Sequence, residues 1–269
     1  MPKRLIPAER QEKIRRHLQK DQFVNLADLA NELDVSESTI RRDLDKLEKD
    51  GFLERTHGGA LLSKKMNEEP VYIQSERSHP AEKKWIGMAA SQLVESGDTI
   101  FLSSGTTIAQ VARHINARGD LTKLTIITNN VSAALEIDRE DIKVILVGGV
   151  LRKAANAVGG RFAVNVIKQT YSDIAIIGAD GLSFKFGCTS PVETEAEISR
   201  LMIEHTHGKV ILATDHSKWG VISNYHVAQL NEFHVYVTDP GIPDADLATL
   251  QDQDLEIIIC DENGVITKP

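Results

Sequence analysis

Two groups of residues in this chain have the types and spacing to do chemistry. Arg41 and Arg42 stand side by side just after Ser38 and Thr39. A guanidinium fork can bridge O6 and N7 of a guanine or hold phosphate oxygens, and short hydroxyls at a helix start reach base edges or backbone. Further on, Ser103-Ser104-Gly105-Thr106-Thr107 sets a glycine among hydroxyls ahead of a helical pattern at Ile108–Ile115. Such a loop offers backbone amides and a positive dipole end to an anion, for which a phosphate is the natural guest.

The first group lies in a helix, turn and helix. Leu26, Leu29, Ala30 and Leu33 recur at three- and four-residue steps, which puts one apolar stripe on a helix. Asp34-Val35 makes the turn, Ser36 is the N-cap of a second helix, and Glu37 suits its positive end. That helix turns Ile40, Leu44 and Leu47 inward, Ser38, Arg42, Asp45 and Lys49 outward, and carries Arg41 and Lys46 on its flanks. Gly51 is a C′ cap, Phe52–Thr56 is strand-like, and His57-Gly58-Gly59-Ala60 turns the chain into Leu61-Leu62 as a short β-ribbon.

Helix, turn, helix and ribbon in this order predict a winged helix-turn-helix over residues 1–62. Its expected DNA contacts are Ser36, Ser38, Thr39, Arg41, Arg42 and Lys46 on the second helix, with Arg55, His57 and Gly58 on the wing. Arg10, Lys13, Arg15, Arg16 and Lys20 along an earlier helix are candidates for phosphate positioning. The plainer alternative makes Arg41 and Arg42 a solvated face, partly paired with Asp45.

Residues 63–79 are polar and lack a sustained period, as a linker would. From residue 80 a helix over Ala81–Glu95 leads into apolar runs at Thr99–Leu102, Leu124–Thr128, Val144–Val147, Ile174–Ile177, Val210–Ala213, Val235–Thr238 and Ile257–Cys260. Buried β-branched runs separated by helices predict an α/β domain with an open, mainly parallel sheet over 80–269. Ligands in such sheets bind beyond the strand ends. Those positions are small or polar: Ser103–Thr107, Thr128-Asn129-Asn130, Gly148-Gly149, Gly178-Ala179-Asp180-Gly181 and Thr214-Asp215-His216-Ser217-Lys218. Lys218 can balance a phosphate charge.

At 269 residues, 41% hydrophobic and 26% charged, the chain has the composition of a soluble globular protein with room for one small and one larger domain. No apolar run approaches the ~20 residues that span a bilayer, and the start lacks a signal-peptide core, so a cytoplasmic location is expected. Cys188 and Cys260 are far apart and form neither a C-x-x-C pair nor a metal-spaced cluster, which argues against a disulfide or zinc site. The net charge of −8 falls entirely after residue 60, because Lys/Arg and Asp/Glu balance before it. A neutral DNA-reading unit must therefore rely on local placement of its cations and on doubling in an oligomer.

The residues Val35-Ser36, Thr39-Ile40-Arg41-Arg42-Asp43-Leu44, Leu47-Glu48, Gly51 and Arg55-Thr56-His57-Gly58-Gly59-Ala60 resemble the amino-terminal signature of the DeoR family of bacterial transcriptional regulators. The resemblance continues through Ser104-Gly105-Thr106-Thr107, Thr128-Asn129, Gly148-Gly149, Gly159, Gly178-Ala179-Asp180, Glu195-Ala196-Glu197 and Asp215-His216-Ser217-Lys218. It implies an effector domain similar to ribose phosphate isomerases and glucosamine phosphate deaminases, with a sugar phosphate at the strand ends. The expected effector contacts are Ser103, Ser104, Gly105, Thr106, Thr107, Thr128, Asn129, Gly148, Gly149, Asp180, Glu195 and Lys218. The family commonly has Asp in place of Ser103 and Lys in place of Ser199.

The chain has neither G-x-x-x-x-G-K-[ST] nor G-x-G-x-x-G after a strand, which leaves no nucleotide loop or dinucleotide fingerprint. The resemblance to isomerases raises an alternative, a sugar-phosphate isomerase or deaminase with an accessory helix-turn-helix. The stretch Gly187–Glu193, however, lacks the lysine and glycine run of the isomerase catalytic loop. A winged helix used for protein contacts is a third reading. Glu195 and Glu197 begin a helix over Glu193–His205, where acids also suit the dipole. His205 and His207 have no third ligand nearby, and His57, His216 and His226 have no partner the sequence identifies. The expectation is a DNA-binding repressor of a carbohydrate catabolic operon, not an enzyme, without cofactor or metal. Its partners are double-stranded operator DNA, a phosphorylated sugar and further copies of itself in a dimer or tetramer.

Overall fold

A computed structural model describes residues 6–21, 23–49, 52–56, 58–62, 64–66, 71–251 and 255–266. The amino-terminal unit runs α1 (Pro7–Asp21), β1 (Phe23–Asn25), α2 (Leu26–Glu32), α3 (Glu37–Lys49), β2 (Leu53–Arg55) and β3 (Gly59–Leu62). The apolar stripes do what their spacing requires: Leu26, Leu29, Ala30, Leu33, Ile40, Leu44 and Leu47 close over Ile14 and Leu18 of α1 in one buried cluster. β3 pairs antiparallel with both β1 and β2, so the wing has a third strand that the short, unpatterned Phe23-Val24-Asn25 does not signal. Gly59 is obligatory there, since a Cβ would lie 1.8 Å from the carbonyl oxygen of Val24. Gly51 and His57 lie outside the described residues, as does the side chain of Lys20.

The polar residue that organises this unit is Asp43. It is buried on α3, where Arg10 Nε donates to it at 2.7 Å and Gln11 Nε2 at 3.0 Å. The pair pins α1 to α3. Arg10, expected on the phosphate side, is thereby turned inward; Arg15 instead lies 4.1 Å over the ring of Phe52.

The expected featureless linker contains β4 (Lys64–Met66) and α4 (Tyr72–Arg77). Next come α5 (Pro80–Ser91), β5 (Thr99–Leu102), α6 (Thr106–Ala117), β6 (Thr125–Thr128), α7 (Val131–Leu135) and β7 (Lys143–Leu146). β8 (Val150–Arg152), β9 (Ala157–Gly159), α8 (Arg161–Ile167), β10 (Ser172–Ile177), β11 (Gly181–Ser183), β12 (Gly187–Ser190) and α9 (Glu193–Glu204) follow. The chain ends with β13 (Thr206–Ala213), β14 (Val221–Ser223), β15 (Tyr225–Ala228), β16 (Val235–Thr238), α10 (Asp244–Gln251), β17 (Glu256–Asp261) and β18 (Gly264–Ile266).

Eight strands form one sheet in the order β18-β17-β16-β13-β10-β5-β6-β7, parallel except at the β17–β18 edge. Side chains alternate between its faces. Phe101, Ile127, Ala175, Ile177 and Leu212 pack into one buried cluster, and Ile100, Leu102, Ile126, Ile176 and Ile211 into the other. Both faces are covered, which is why these strands read as continuous apolar runs.

Strand order runs outward from β5 to β7, then returns to place β10 beside β5 before growing the other way. The loops after β5 and β10 therefore leave in opposite directions and open a crevice at the carboxyl ends of these strands. β4 joins the small β14 in parallel pairing, with Val221 opposite Lys64.

Removing one partner of a buried ion pair leaves an uncompensated charge. Asp43→Ala is therefore expected to lower the stability of the amino-terminal unit by about 3 kcal/mol, read as an early transition in thermal unfolding. The double replacement Arg10→Met, Asp43→Leu should recover most of the loss.

Candidate effector cavity and nucleic-acid interface

On α3 the apolar side is buried, and Ser38, Arg41, Arg42, Asp45, Lys46 and Lys49 are exposed on the outer side. Ser36 Oγ accepts from Thr39 N at 3.3 Å and lies 2.9 Å from the hydroxyls of both Ser38 and Thr39. The hydroxyls thus form one cluster at the helix start. Arg41 pairs with Glu37 at 3.5 Å, whereas Asp45 pairs with Arg55 Nη1 at 2.5 Å. Arg55 also donates to the Arg41 carbonyl at 3.3 Å and so ties the wing to the helix. Arg42 and Lys46 have no partner among the described residues and are free for an external anion. Gly58 fastens the wing to α2, its carbonyl accepting from Leu26 N at 2.8 Å.

The crevice between β5 and β10 holds a cavity. The turn after β5 contributes Ser104, Gly105, Thr106 and Thr107; the end of β10 contributes Asp180; α9 contributes Glu195 and Ser199. Lys218 closes one side. Gly105 is the N-cap of α6 with φ 108° and makes no side-chain cap, and a Cβ on it would meet nothing within 4 Å. A left-handed glycine thus presents the uncapped amides of a 12-residue helix to open space.

Two acids face this positive end. Glu195, 5% exposed, takes Arg152 Nη1 at 2.6 Å and the hydroxyl of Ser104. Burial pushes its carboxyl above the usual range, against the lowering pull of Ser104 and Arg152. Asp180 accepts from Ser190 Oγ at 2.9 Å, and burial raises it too, opposed by Ser190, Lys218 and Arg152. Glu197 is exposed. Of Glu193, Glu195 and Glu197 at the start of α9, only Glu195 lines the cavity.

Five of the expected effector contacts, Ser103, Thr128, Asn129, Gly148 and Gly149, do not line the cavity, and all but Gly148 have another structural duty. Ser103 is buried and accepts from Gly178 N at 2.9 Å, joining the two loops of the crevice. Thr128 Oγ1 donates to the Leu102 carbonyl at 2.6 Å, and Asn129 Nδ2 donates to that of Val158 at 3.3 Å. Gly149 lets its chain pass Gly159, whose carbonyl oxygen would be 2.4 Å from a Cβ, while Gly148 faces open space.

Other lining residues come from the segment read as linker and from the helix that follows it. Tyr72 and Ser75 of α4 and Lys83 of α5 reach the cavity. Lys83 is 3% exposed, and its Nζ donates to the carbonyls of Ser75 and Ser78, the latter at 2.7 Å. Burial pulls its ammonium below the usual lysine range, with Asp215 acting in the opposite sense. A signal existed: position 83 falls on the stripe of Ile86, Gly87 and Ala90, where a lysine needs a reason.

A helix-turn-helix with free cations on its outer face, joined to a cavity at a sheet's switch point, is the layout of a ligand-sensing DNA-binding regulator. The chain matches the DeoR-like helix-turn-helix domain over residues 10–66 and the DeoR C terminal sensor domain over residues 78–240. It is 35% identical to the HTH-type transcriptional regulator GlpR of Haloferax volcanii over 90% of this chain and 93% of that one. It is 34% identical to the HTH-type transcriptional repressor GlcR of Bacillus subtilis over 86% and 88%. Among solved structures, ribose 5 phosphate isomerase A from Neisseria gonorrhoeae aligns at TM-score 0.37 with 16% identity over 53% of each chain. The chain belongs to the DeoR family of DNA-binding transcriptional regulators. No helix among the described residues is long and apolar enough to cross a membrane.

The Glu195–Arg152 pair gives a pH-dependent prediction. A carboxyl whose folded pKa is raised contributes stability below its unfolded pKa and loses it as pH rises through the folded value. Arg152→Ala removes the cation that limits this loss, so destabilisation of about 3 kcal/mol is expected at pH 7. The deficit should shrink as the pH falls into the range where Glu195 takes up its proton. Glu195→Gln in the same background should abolish the pH dependence of the difference in thermal unfolding.

Proposed function

We propose that this protein is a repressor of a carbohydrate catabolic operon that senses a phosphorylated sugar, without turning it over, in the cavity between β5 and β10. The observation that carries this reading is the uncapped start of α6 at Gly105, flanked by Lys83 and Lys218 and faced by Asp180 and Glu195. The amides and ammoniums suit a phosphate, and the two acids with Ser190 suit sugar hydroxyls. GlcR carries the word repressor in its name, which agrees with the direction of control.

Sensing without turnover is favoured by how the acids are engaged. An isomerase needs a carboxylate free to take a proton beside a carbonyl. Here Glu195 is held by Arg152 and Ser104, and Asp180 by Ser190.

Signal passes to the DNA-reading unit through the segment between the domains. α4 places Tyr72 and Ser75 at the cavity, and β4 pairs with β14, close behind Lys218. A ligand that draws these groups together binds one arrangement of the connection better than another, which is what a shift in the DNA-binding equilibrium requires. The protein acts as a homo-oligomer, whose paired units meet half-sites about one helical turn, or a multiple, apart. Exposed Leu135, Leu146, Val150, Leu151 and Phe162 around the unpaired β7 edge supply an apolar surface for a second copy.

Gel-shift titration with fragments from the protein's own locus, with and without a library of pentose and hexose phosphates, tests the whole. Release of DNA by one of them is expected, and failure to bind DNA under any condition overturns the assignment. A coupled assay over the same library should show no product. Arg42→Ala should weaken operator binding and lower the slope of log K against log salt by about 1 if the contact is to phosphate. Gly105→Asp puts a carboxylate where the phosphate would sit, so it should abolish release and leave operator binding intact.

A further inference from the structure

Beside the cavity but not lining it, His79, Asp215 and His216 bring one donor atom each to within 4.8 Å of one another. Asp215 is fully buried at the end of β13. Its Oδ1 accepts from Ser217 N at 3.0 Å, but its Oδ2 has no hydrogen-bond partner among the described residues. A carboxylate oxygen sealed from water without a donor is costly. Lys83 is not its donor, since its Nζ is held by the carbonyls of Ser75 and Ser78, and neither Lys83 nor Lys218 forms an ion pair with Asp215 among the described residues.

One of the two imidazoles is already oriented for that task. His216 Nδ1 lies 2.7 Å from Asp239 Oδ2, while its backbone N donates to Oδ1 of the same carboxylate at 2.7 Å. Asp239 is buried, and Gly241 packs so closely that a Cβ would lie 2.2 Å from His216 Cγ. With Nδ1 anchored on a carboxylate, Nε2 is left free and made more basic, the arrangement that orients metal-binding histidines. His79 is held less firmly: its Nδ1 is 3.8 Å from Glu82 Oε1, beyond hydrogen-bond reach, and its ring meets that of His216 edge-on at 4.8 Å. His79 adopts φ 51°, a left-handed conformation that a non-glycine residue rarely takes without cause.

The geometry points to a divalent transition-metal site, suited to zinc, in which Asp215 Oδ2 and the imidazoles of His79 and His216 are the ligands and Asp239 is a positioning residue. Two nitrogens and one carboxylate oxygen form a zinc donor set with a fourth position open, whereas calcium and magnesium favour oxygen throughout. Bonds of about 2.0–2.1 Å put tetrahedral donors about 3.3 Å apart. The half-exposed His79 ring can swing through the remaining distance. His79 joins α4 to α5, so the ion would fasten the connection from the DNA-reading unit to β13. It would also brace Lys83, one turn along α5, and Lys218, two residues beyond His216.

The test uses the untagged full chain, stripped with a chelator and dialysed, with zinc chloride as the probe. Expected are about one zinc per chain by calorimetry and elemental analysis, a rise in thermal midpoint on adding zinc, and cobalt(II) d–d bands without thiolate charge transfer. His216→Ala and Asp215→Asn should abolish stoichiometric binding, and Asp239→Asn should weaken it about 10- to 100-fold. His207→Ala, on the exposed part of β13, should change nothing. If a variant fails to fold, the cobalt spectrum and zinc-induced thermal shift of the wild-type chain still decide the matter. Absence of tight zinc binding by the folded wild type, thiolate bands, or stoichiometric binding that survives His216→Ala would overturn the site. None of these readouts depends on DNA or on a sugar phosphate, so the site stands or falls separately from the proposed function.

Discussion

The hydrogen bonds that stitch the loop after β5 to its neighbours are the constraint on which the sensing half depends. Ser103 Oγ accepts from Gly178 N, Asn130 Nδ2 donates to the carbonyls of Ser103 and Gly105, and Thr128 Oγ1 donates to that of Leu102. All four contacts lie at the carboxyl ends of β5, β6 and β10, where the ladders stop and the loops begin, and backbone groups there draw on side chains for hydrogen bonds. These contacts fix the loop that carries the uncapped start of α6 beside the cavity. Ser103, Asn130 and Thr128 therefore shape the site without entering it.

The DNA-reading half depends on the same kind of economy. Asp43 sits among leucines on α3 and is tolerated because Arg10 and Gln11 meet it from α1. Arg55 joins the wing to α3 through Asp45 and the Arg41 carbonyl. Arg10, Arg41 and Arg55 each pair with an acid of the same unit, whereas Arg42 and Lys46 have no partner among the described residues, in a unit whose net charge is zero. The connection between the halves is structured where it touches the sensor, through β4 on β14 and α4 at the cavity mouth.

Composition and periodicity made much of this legible. Three- and four-residue apolar steps announced α2 and α3, and buried β-branched runs announced the parallel sheet, because both patterns follow from local geometry and burial. The glycine-hydroxyl turn at Ser103–Thr107 announced the start of α6 for the same reason. β1, β4 and α4 were not legible. Three-residue strands exist only through their partners, and α4 turns no buried residue to a core.

The sequence by itself determined which segments become helix or strand and which loops carry small, polar groups, since spacing along the chain decides these. Only the tertiary structure decided which of those groups meet. It sent Ser103, Thr128 and Asn129 to backbone duty, brought Tyr72 and Ser75 from a polar stretch and Lys83 from the helix after it to the cavity, and set His79 against Asp215 and His216 across more than a hundred residues. The physical reason is that hydrogen bonding and charge act across space at a few ångströms, and strand order and register decide which residues come that close.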